Sequence, residues 1–184
     1  MNTISNPPSL TLCGFMACGK TTLGKRLARA LHYDYVDTDE LLLRRTGMTL
    51  PEMFAIGGEA YFRDREHEVV REAALLEHAV ISTGGGVLTF ERNARLLAQY
   101  TKIIHVRRSF DACYASISRR QNRPIAGQKS REELLALYNA RLPAYARYAA
   151  FTLDNDETPE RAVERVLAWL GRQGMGVLKQ KRPG

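Results

Sequence analysis

The sequence predicts an α/β fold in which helices cover both faces of a five-stranded parallel sheet. Short apolar runs rich in branched and aromatic residues alternate with longer segments of helical periodicity, the pattern of repeated strand–helix units. The chain has 184 residues, 45% of them apolar, which is enough for one domain. We therefore expect a single three-layer domain over residues 1–184, with its core at about residues 9–171.

Five strands and seven helices are predicted in chain order. The strands are Leu10–Cys13, Tyr35–Asp37, Val80–Thr83, Ile103–Val106 and Phe151–Asp154. The helices lie near residues 20–32, 50–57, 59–78, 90–99, 109–120, 131–149 and 159–171. Two helices begin at capping boxes, Thr49–Glu52 and Ser130–Glu133, and the last has Pro159 in its first turn. Between them we expect a mobile lid at about residues 119–130, and after them a flexible tail at 172–184.

Composition excludes several classes of protein. No window of about 18 residues lacks charge, and the N-terminus has neither the basic start nor the apolar centre of a secretory signal. The cysteines, Cys13, Cys18 and Cys113, are too few and too scattered for a disulfide framework or a zinc site. We expect a cytoplasmic monomer with no membrane partner.

The positive charge is concentrated in one part of the chain. Residues 101–148 contain ten lysines and arginines against three acidic residues, so this segment accounts for the whole formal net charge of +7. A local cluster of arginines suits a small polyanion as well as it suits nucleic acid. We expect a small-molecule substrate, and no nucleic acid, as the partner.

That motif is the strongest chemical signal in the sequence. Residues 14–21, Gly-Phe-Met-Ala-Cys-Gly-Lys-Thr, match G-x-x-x-x-G-K-[ST] directly after a predicted strand and at the start of a predicted helix. In this motif, backbone N–H groups hold phosphate oxygens, Lys20 bridges the outer phosphates and the Thr21 hydroxyl holds Mg²⁺. The alternative is a glycine turn before an amphipathic helix. We expect nucleotide contacts from Gly14, Ala17, Cys18, Gly19, Lys20, Thr21 and Thr22.

Cys18 allows two interpretations. It lies between the loop N–H groups and Lys20 at a predicted helix N-terminus, surroundings that can activate a thiol. It can equally be a small buried side chain with no special reactivity.

The second predicted strand ends in Asp37-Thr38-Asp39, which supplies two carboxylates. Ligands of open parallel sheets bind at the carboxyl edge, where these residues should lie. One carboxylate suits hydrated Mg²⁺, and the other suits accepting a proton or a hydrogen bond from a substrate hydroxyl. In the alternative interpretation, Asp39 only caps a helix that begins at Glu40.

The third strand runs into three consecutive glycines, Gly84, Gly85 and Gly86. They permit close approach of the backbone to a ligand at a considerable entropic cost, so a plain turn is possible but would be a wasteful use of three glycines. Arg63 and Arg141 stand alone in apolar surroundings, and arginine forks pair with carboxylates. Each could instead be a surface arginine that covers an aromatic ring, which is the better interpretation of Arg147.

Taken together, the motifs resemble the shikimate kinase family over about residues 9–171. The resemblance rests on their order, and it is carried by the phosphate loop, Asp-x-Asp at 37–39, Phe62-Arg63, the triple glycine, Arg123-Pro124 and the segment 138–145. It implies a nucleoside-monophosphate-kinase-like P-loop fold with strand order 2-3-1-4-5. It also implies Mg²⁺-dependent transfer of the γ-phosphoryl group of ATP to the 3-hydroxyl of shikimate, in chorismate and aromatic amino-acid biosynthesis.

By position, the resemblance implies the roles of individual residues. Asp39 would contact the shikimate hydroxyls and accept the proton, while Arg63 and Arg141 would bind the carboxylate and Gly85 would touch the ring face. We expect Thr21 and Asp37 on the metal side.

The resemblance also implies that Arg123 closes with the lid onto the phosphates and that Arg119 or Arg120 stacks on adenine. The chain departs from the family pattern in two places. Ala17 replaces a usual glycine and adds a methyl group inside the phosphate loop, and the lid is short.

Three rival functions are consistent with part of the sequence. A kinase for a gluconate-like acid or a nucleotide would not need both the triple glycine and the paired arginines. A non-catalytic ATP-binding module would be expected to lack Lys20, Asp39 or Arg123. A nucleic-acid binder would lose affinity steeply with salt.

Overall fold

The computed structural model describes residues 7–119 and 129–175. Within these ranges the strands are β1 (Leu10–Cys13), β2 (Asp34–Asp37), β3 (Ala79–Ser82), β4 (Lys102–Arg107) and β5 (Phe151–Asp154). The helices of the same ranges are α1 (Lys20–Leu31), α2 (Thr38–Thr46), α3 (Leu50–Ala74), α4 (Glu91–Tyr100), α5 (Phe110–Ser118), α6 (Arg131–Tyr148) and α7 (Pro159–Arg172), with a 3₁₀ helix at Val87–Thr89.

The strands form one parallel sheet in the order β2-β3-β1-β4-β5, which confirms the predicted strand order. β1 is central, and Leu12 pairs with Ser82 of β3 on one side and Ile104 of β4 on the other. All of β1 is buried, as expected for a strand covered on both faces. Because every strand points the same way, the turns that follow β1, β2 and β3 meet at one carboxyl edge.

The helices lie on both faces of the sheet, so the predicted three layers are confirmed. Successive strand residues point to opposite faces and enter two separate cores. Leu12 and Ile104 belong to the core that includes Leu27 of α1 and Val166 of α7. The other core joins residues of the sheet to α3, α4 and α6, and its members include Cys13, Ile103, Val70, Leu97 and Tyr145.

Helix α2 is not among the seven predicted helices, although one interpretation of Asp39 supposed a helix that begins at Glu40. This helix starts at Thr38, directly after β2, with no connecting loop. Its N-cap is Asp37, whose carboxylate accepts a hydrogen bond from the Asp39 N–H at 3.0 Å. The interpretation in which Asp39 caps a helix beginning at Glu40 is therefore wrong.

Helix α3 runs through the two segments predicted separately, 50–57 and 59–78, and its helical geometry breaks between them. Gly57 and Gly58 both have non-helical dihedrals, and Gly58 has φ 63° and ψ −158°. This combination is accessible essentially to glycine alone. These glycines divide α3 into two helical segments, which confirms the predicted division.

The C-terminus of α3 lies earlier than predicted. The helix ends at Ala74, and the following Leu75 and Leu76 are exposed in the turn that leads to β3. Ser9 stabilises this turn, because its hydroxyl donates to the Leu76 carbonyl at 2.5 Å and accepts from the Ala79 N–H at 3.0 Å. Because these turn residues are apolar, they continue the helical pattern of the sequence, and the predicted helix therefore ends too late.

The three helix starts predicted from the two capping boxes and from Pro159 are confirmed. Glu52 accepts from the Thr49 N–H at 2.6 Å, and the reciprocal bonds between Ser130 and Glu133 are present at 2.6 and 3.2 Å. Pro159 occupies the first turn of α7.

Most of the predicted lid, residues 120–128, and the tail beyond Met175 lie outside the described residues. Within the described part of the chain, no helix has the length and apolar character needed to cross a membrane.

Candidate active site

The loop between β1 and α1 turns tightly through three residues with positive φ: Gly14 (144°), Ala17 (61°) and Gly19 (102°). A Cβ on Gly14 would lie 2.4 Å from the Val106 carbonyl oxygen, and one on Gly19 would lie 2.4 Å from Asn155 Nδ2. Gly19 caps α1 and contributes no side-chain acceptor to the N–H groups of the first turn. This geometry suits a phosphate ligand.

Lys20 lies against the same loop. Its Nζ donates hydrogen bonds to the carbonyl oxygens of Gly14 at 2.8 Å and Phe15 at 2.9 Å, and the side chain is partly buried. Thr21 and Thr22 follow in the first turn of α1 and are exposed. A positive charge and hydroxyl groups therefore lie at the N-terminus of α1, where phosphate groups would bind.

Two side chains that the sequence analysis did not identify hold the loop from outside. Asn155, which follows β5, donates from Nδ2 to the Cys18 carbonyl at 2.7 Å. Arg108, which follows β4, donates from Nη1 to the Ala17 carbonyl and to Ser116 Oγ, both at 3.3 Å. The partners are 137 and 91 residues apart in sequence, so no local pattern reveals these contacts.

The Cys18 side chain is 1% exposed and packs in the core beside α1. The structure therefore favours the buried, unreactive interpretation of this thiol. Any contact of Cys18 with nucleotide would come from its main chain.

Replacing Ala17 with glycine is expected to raise the free energy of unfolding by up to about 1 kcal/mol, because alanine at positive φ is strained and glycine is not. The ATP dissociation constant is expected to fall, since a methyl group leaves the loop. Urea unfolding and ATP titration measure the two effects. His32 is the matched control because it has φ 57° at the C-cap of α1. His32→Gly should stabilise similarly without changing ATP affinity, whereas a less stable A17G protein would show that the loop conformation does not strain alanine.

Asp37 and Thr21 both interact with the Tyr35 hydroxyl at the carboxyl edge of the sheet. The Asp37 carboxylate accepts from the Tyr35 hydroxyl at 3.3 Å in addition to capping α2. The Tyr35 hydroxyl also interacts with Thr21 and Ser82, and burial raises its pKa, so it remains protonated. Hydroxyl and carboxylate oxygens therefore converge here, and oxygen is the ligand that Mg²⁺ prefers. The described residues contain no cluster of three or more His, Cys, Asp and Glu side chains that could hold a metal by themselves.

The turn Gly84–Gly86 after β3 brings the predicted acceptor residues together. A Cβ on the first glycine would lie 2.5 Å from Asp39 Oδ1, and one on the second would lie 3.1 Å from Arg141 Nη1. A Cβ on the third would lie 3.3 Å from Arg63 Nη1. One carboxylate and two guanidinium groups thus face the glycine turn, and a side chain on it would crowd them.

The glycine turn is fixed by two hydrogen bonds from outside it and borders the phosphate loop. The Gly84 N–H donates to Thr38 Oγ1 at 3.1 Å, and the Tyr145 hydroxyl donates to the Gly85 carbonyl at 2.5 Å. A Cβ on Gly85 would lie 3.6 Å from the Gly14 carbonyl oxygen. A ligand on the glycine turn would therefore lie next to one in the phosphate loop, as group transfer between them requires.

Arg63 has protein partners of its own. It forms ion pairs with Glu66 at 3.0 Å and Glu59 at 3.1 Å, and its guanidinium lies 4.3 Å from the centre of the Phe90 ring. Glu66 is buried, and desolvation raises the pKa of its carboxyl although Arg63 opposes the shift. Arg63 therefore covers an aromatic ring, as one interpretation supposed, and faces the glycine turn as well.

The remaining predicted arginines fall outside this cluster or outside the described residues. Arg119 donates from Nε to the Ala115 carbonyl at 3.0 Å, where α5 ends. Arg147 is exposed and lies 5.2 Å from the Tyr148 ring centre, so its assignment as a surface arginine is confirmed. Arg120 and Arg123 lie outside the described residues.

The fold and the neighbouring phosphate and acceptor sites define the class, which is a small-molecule kinase of the P-loop type. The sequence profile of the shikimate kinase family matches residues 16–171. This chain belongs to the shikimate kinase family.

Relatives agree with this assignment. The shikimate kinase of Caldanaerobacter subterraneus subsp. tengcongensis is 37% identical over 161 residues, which cover 86% of this chain and 94% of that protein. The structure of the shikimate kinase from Acinetobacter baumannii in complex with shikimate matches with a TM-score of 0.84 at 29% identity, covering 91% of this chain and 94% of that one. A gluconokinase from Sinorhizobium meliloti 1021 matches with a TM-score of 0.62 at 18% identity over 92% of this chain and 95% of that one, a likeness of fold alone.

Proposed function

We propose that this protein transfers the γ-phosphoryl group of ATP to the 3-hydroxyl of shikimate, giving shikimate 3-phosphate and ADP. The observation that carries the proposal is the arrangement of Asp39, Arg63 and Arg141 around the turn Gly84–Gly86, beside the phosphate loop. A carboxylate on the acceptor suits two guanidinium groups, and its hydroxyl suits a carboxylate base. Family membership supports the same acceptor and a role in chorismate and aromatic amino-acid biosynthesis.

On the nucleotide side, the phosphate loop would bind the phosphates through its N–H groups, with Lys20 supplying positive charge. Thr21 and Asp37 would hold Mg²⁺, which when bound neutralises charge on the outer phosphates. Arg123 is proposed to add a further charge from the lid. Arg119 or Arg120 would stack on adenine.

On the acceptor side, the residues would bind and orient the acceptor and deprotonate its hydroxyl. Arg63 and Arg141 would bind the acceptor carboxylate, and Gly85 would let the ring approach the backbone. Asp39 would accept the proton of the hydroxyl as it attacks the γ-phosphorus. Alignment supplies much of the acceleration, because phosphoryl transfer needs little covalent chemistry from the protein.

Substituting lysine for either acceptor arginine is expected to weaken shikimate binding roughly tenfold, because lysine keeps the charge and loses the two-pronged hydrogen bonding. ATP affinity should stay the same in Arg63→Lys and Arg141→Lys. Titration calorimetry with each substrate measures both. Arg147→Lys, on the same helix as Arg141 but exposed, is the matched control. If ATP affinity fell while shikimate affinity held, these arginines would belong to the nucleotide site.

The acceptor itself is tested by a coupled assay of ADP formation with shikimate, gluconate and nucleoside monophosphates. Shikimate should be phosphorylated far faster than the others. Phosphorylation of gluconate instead would support the rival polyol-acid kinase, and no acceptor-dependent turnover would support a non-catalytic ATP-binding module. The single 1–184 domain, the lid, the cytoplasmic location and the monomeric state are further proposals, which rest on the sequence.

A further inference from the structure

Helix α6 contacts both halves of the site through two tyrosine hydroxyls. Tyr138 OH donates to the main-chain carbonyl of Arg108 at 2.9 Å, and Tyr145 OH donates to that of Gly85 at 2.5 Å. The tyrosines are seven residues apart, which is close to two turns, so both lie on one face of the helix. One hydroxyl is therefore directed to the nucleotide side and the other to the acceptor side.

Tyr138 reaches the phosphate loop by two routes. Its ring packs edge-on against the ring of Phe15, a loop residue, with centroids 5.2 Å apart. Its hydroxyl holds the backbone of Arg108, whose guanidinium in turn donates to the Ala17 carbonyl at 3.3 Å. Because Ala17 has a strained φ of 61°, the loop needs such contacts to keep its shape.

Tyr145 fixes the glycine turn. Its side chain is 1% exposed, and its ring packs at 5.2 Å against that of His105. Arg141 lies one turn earlier on the same helix, so the hydrogen bond to Gly85 also sets the distance between this guanidinium and the turn. Burial raises the pKa of Tyr145 and lowers that of His105 to about 4, so near pH 7 the hydroxyl is a donor and the imidazole is uncharged.

We propose that α6 aligns the two substrate sites, with Tyr138 as a positioning residue for the phosphate loop through Arg108 and Tyr145 as a positioning residue for the glycine turn. This inference rests on the proposed function. Neither tyrosine takes part in the chemistry. Each hydroxyl instead holds one loop in the shape that its substrate requires.

The test compares three variants on one helix: Tyr138→Phe, Tyr145→Phe and Tyr148→Phe. Each change removes one hydroxyl and keeps the ring. Tyr148 is the matched control because its hydroxyl contacts Glu91 of α4, at neither loop. KM and dissociation constants for ATP and for shikimate are measured separately, at a temperature where circular dichroism and thermal melting show every variant folded.

Y138F should raise KM and the dissociation constant for ATP about three- to tenfold, the size of a lost neutral hydrogen bond, and leave those for shikimate unchanged. Y145F should raise KM and the dissociation constant for shikimate by a similar factor and leave those for ATP unchanged. Y148F should change neither. A merely structural role would lower stability and affect both substrates alike.

Equal effects on both substrates, or none, would overturn the proposal. If Y145F did not fold, Y138F alone would still test the proposal. Weaker shikimate binding by Y138F with unchanged ATP binding would contradict the assignment of Tyr138 to the phosphate loop. Failure of the proposed function is recognised separately, since the wild-type protein would then not phosphorylate shikimate at all.

Discussion

Lys20→Ala is expected to lower the turnover number about a hundredfold or more, on the order of 3 kcal/mol, while the protein stays folded. Lys20 Nζ lies against the phosphate loop, where it donates to the Gly14 and Phe15 carbonyl oxygens and, at 3.8 Å, to Cys18 Sγ, all uncharged partners that an arriving phosphate can replace. In the transition state its charge would offset that of the transferred oxygens. Steady-state kinetics with saturating shikimate and ATP, together with a melting curve, measure the effect.

Lys102→Ala is the control for this experiment. Lys102 is an exposed lysine at the start of β4, at the opposite edge of the sheet from the phosphate loop. Its loss should leave the turnover number unchanged. A folded K20A protein with wild-type turnover would contradict both the mechanism and the assignment of the phosphate loop.

Asp39→Asn is expected to lower the turnover number by roughly 10²–10⁴, the usual contribution of a positioned general base. The amide has the same shape, so it still fits beside the glycine turn, where Asp39 Oδ1 would lie only 2.5 Å from a Cβ on Gly84. It cannot accept the proton of the attacking hydroxyl. ATP binding should be unchanged, since the side chain faces the acceptor.

Asp34→Asn provides the comparison, because Asp34 is an exposed carboxylate at the start of β2, the strand that leads into α2. It should behave like the wild type in both turnover and ATP affinity. Wild-type turnover in D39N, with shikimate affinity alone reduced, would mean that Asp39 orients the acceptor but takes no proton.

Much of the fold could be predicted because strands and amphipathic helices leave periodic patterns. β1 and β5 have the predicted bounds. β4 extends one residue further at each end, because Lys102 and Arg107 are charged and look like turn residues while their backbones still pair. Helix α2 was missed because Asp37-Thr38-Asp39 offers several candidate caps in succession and no loop separates strand from helix.

The site residues could be predicted where they belong to short sequence motifs with a known chemical role. The structure places Asp39, Arg63 and Arg141 around the glycine turn, although their roles stay predictions. Supports such as Asn155 and Tyr145 could not be assigned, because their partners lie 137 and 60 residues away and a hydrogen bond to a main-chain carbonyl demands no particular residue there.

The ion pair of Arg63 has a consequence for the end of the catalytic cycle. Glu66 already neutralises this guanidinium before an acceptor arrives, and Asp39 places another carboxylate at the same turn. The two guanidinium groups at this turn, Arg63 and Arg141, are thus already balanced by two carboxylates, whereas a phosphate monoester brings up to roughly two additional negative charges at neutral pH. In a partly desolvated pocket these charges repel strongly. Glu66 and Asp39 would therefore also favour departure of the phosphorylated product.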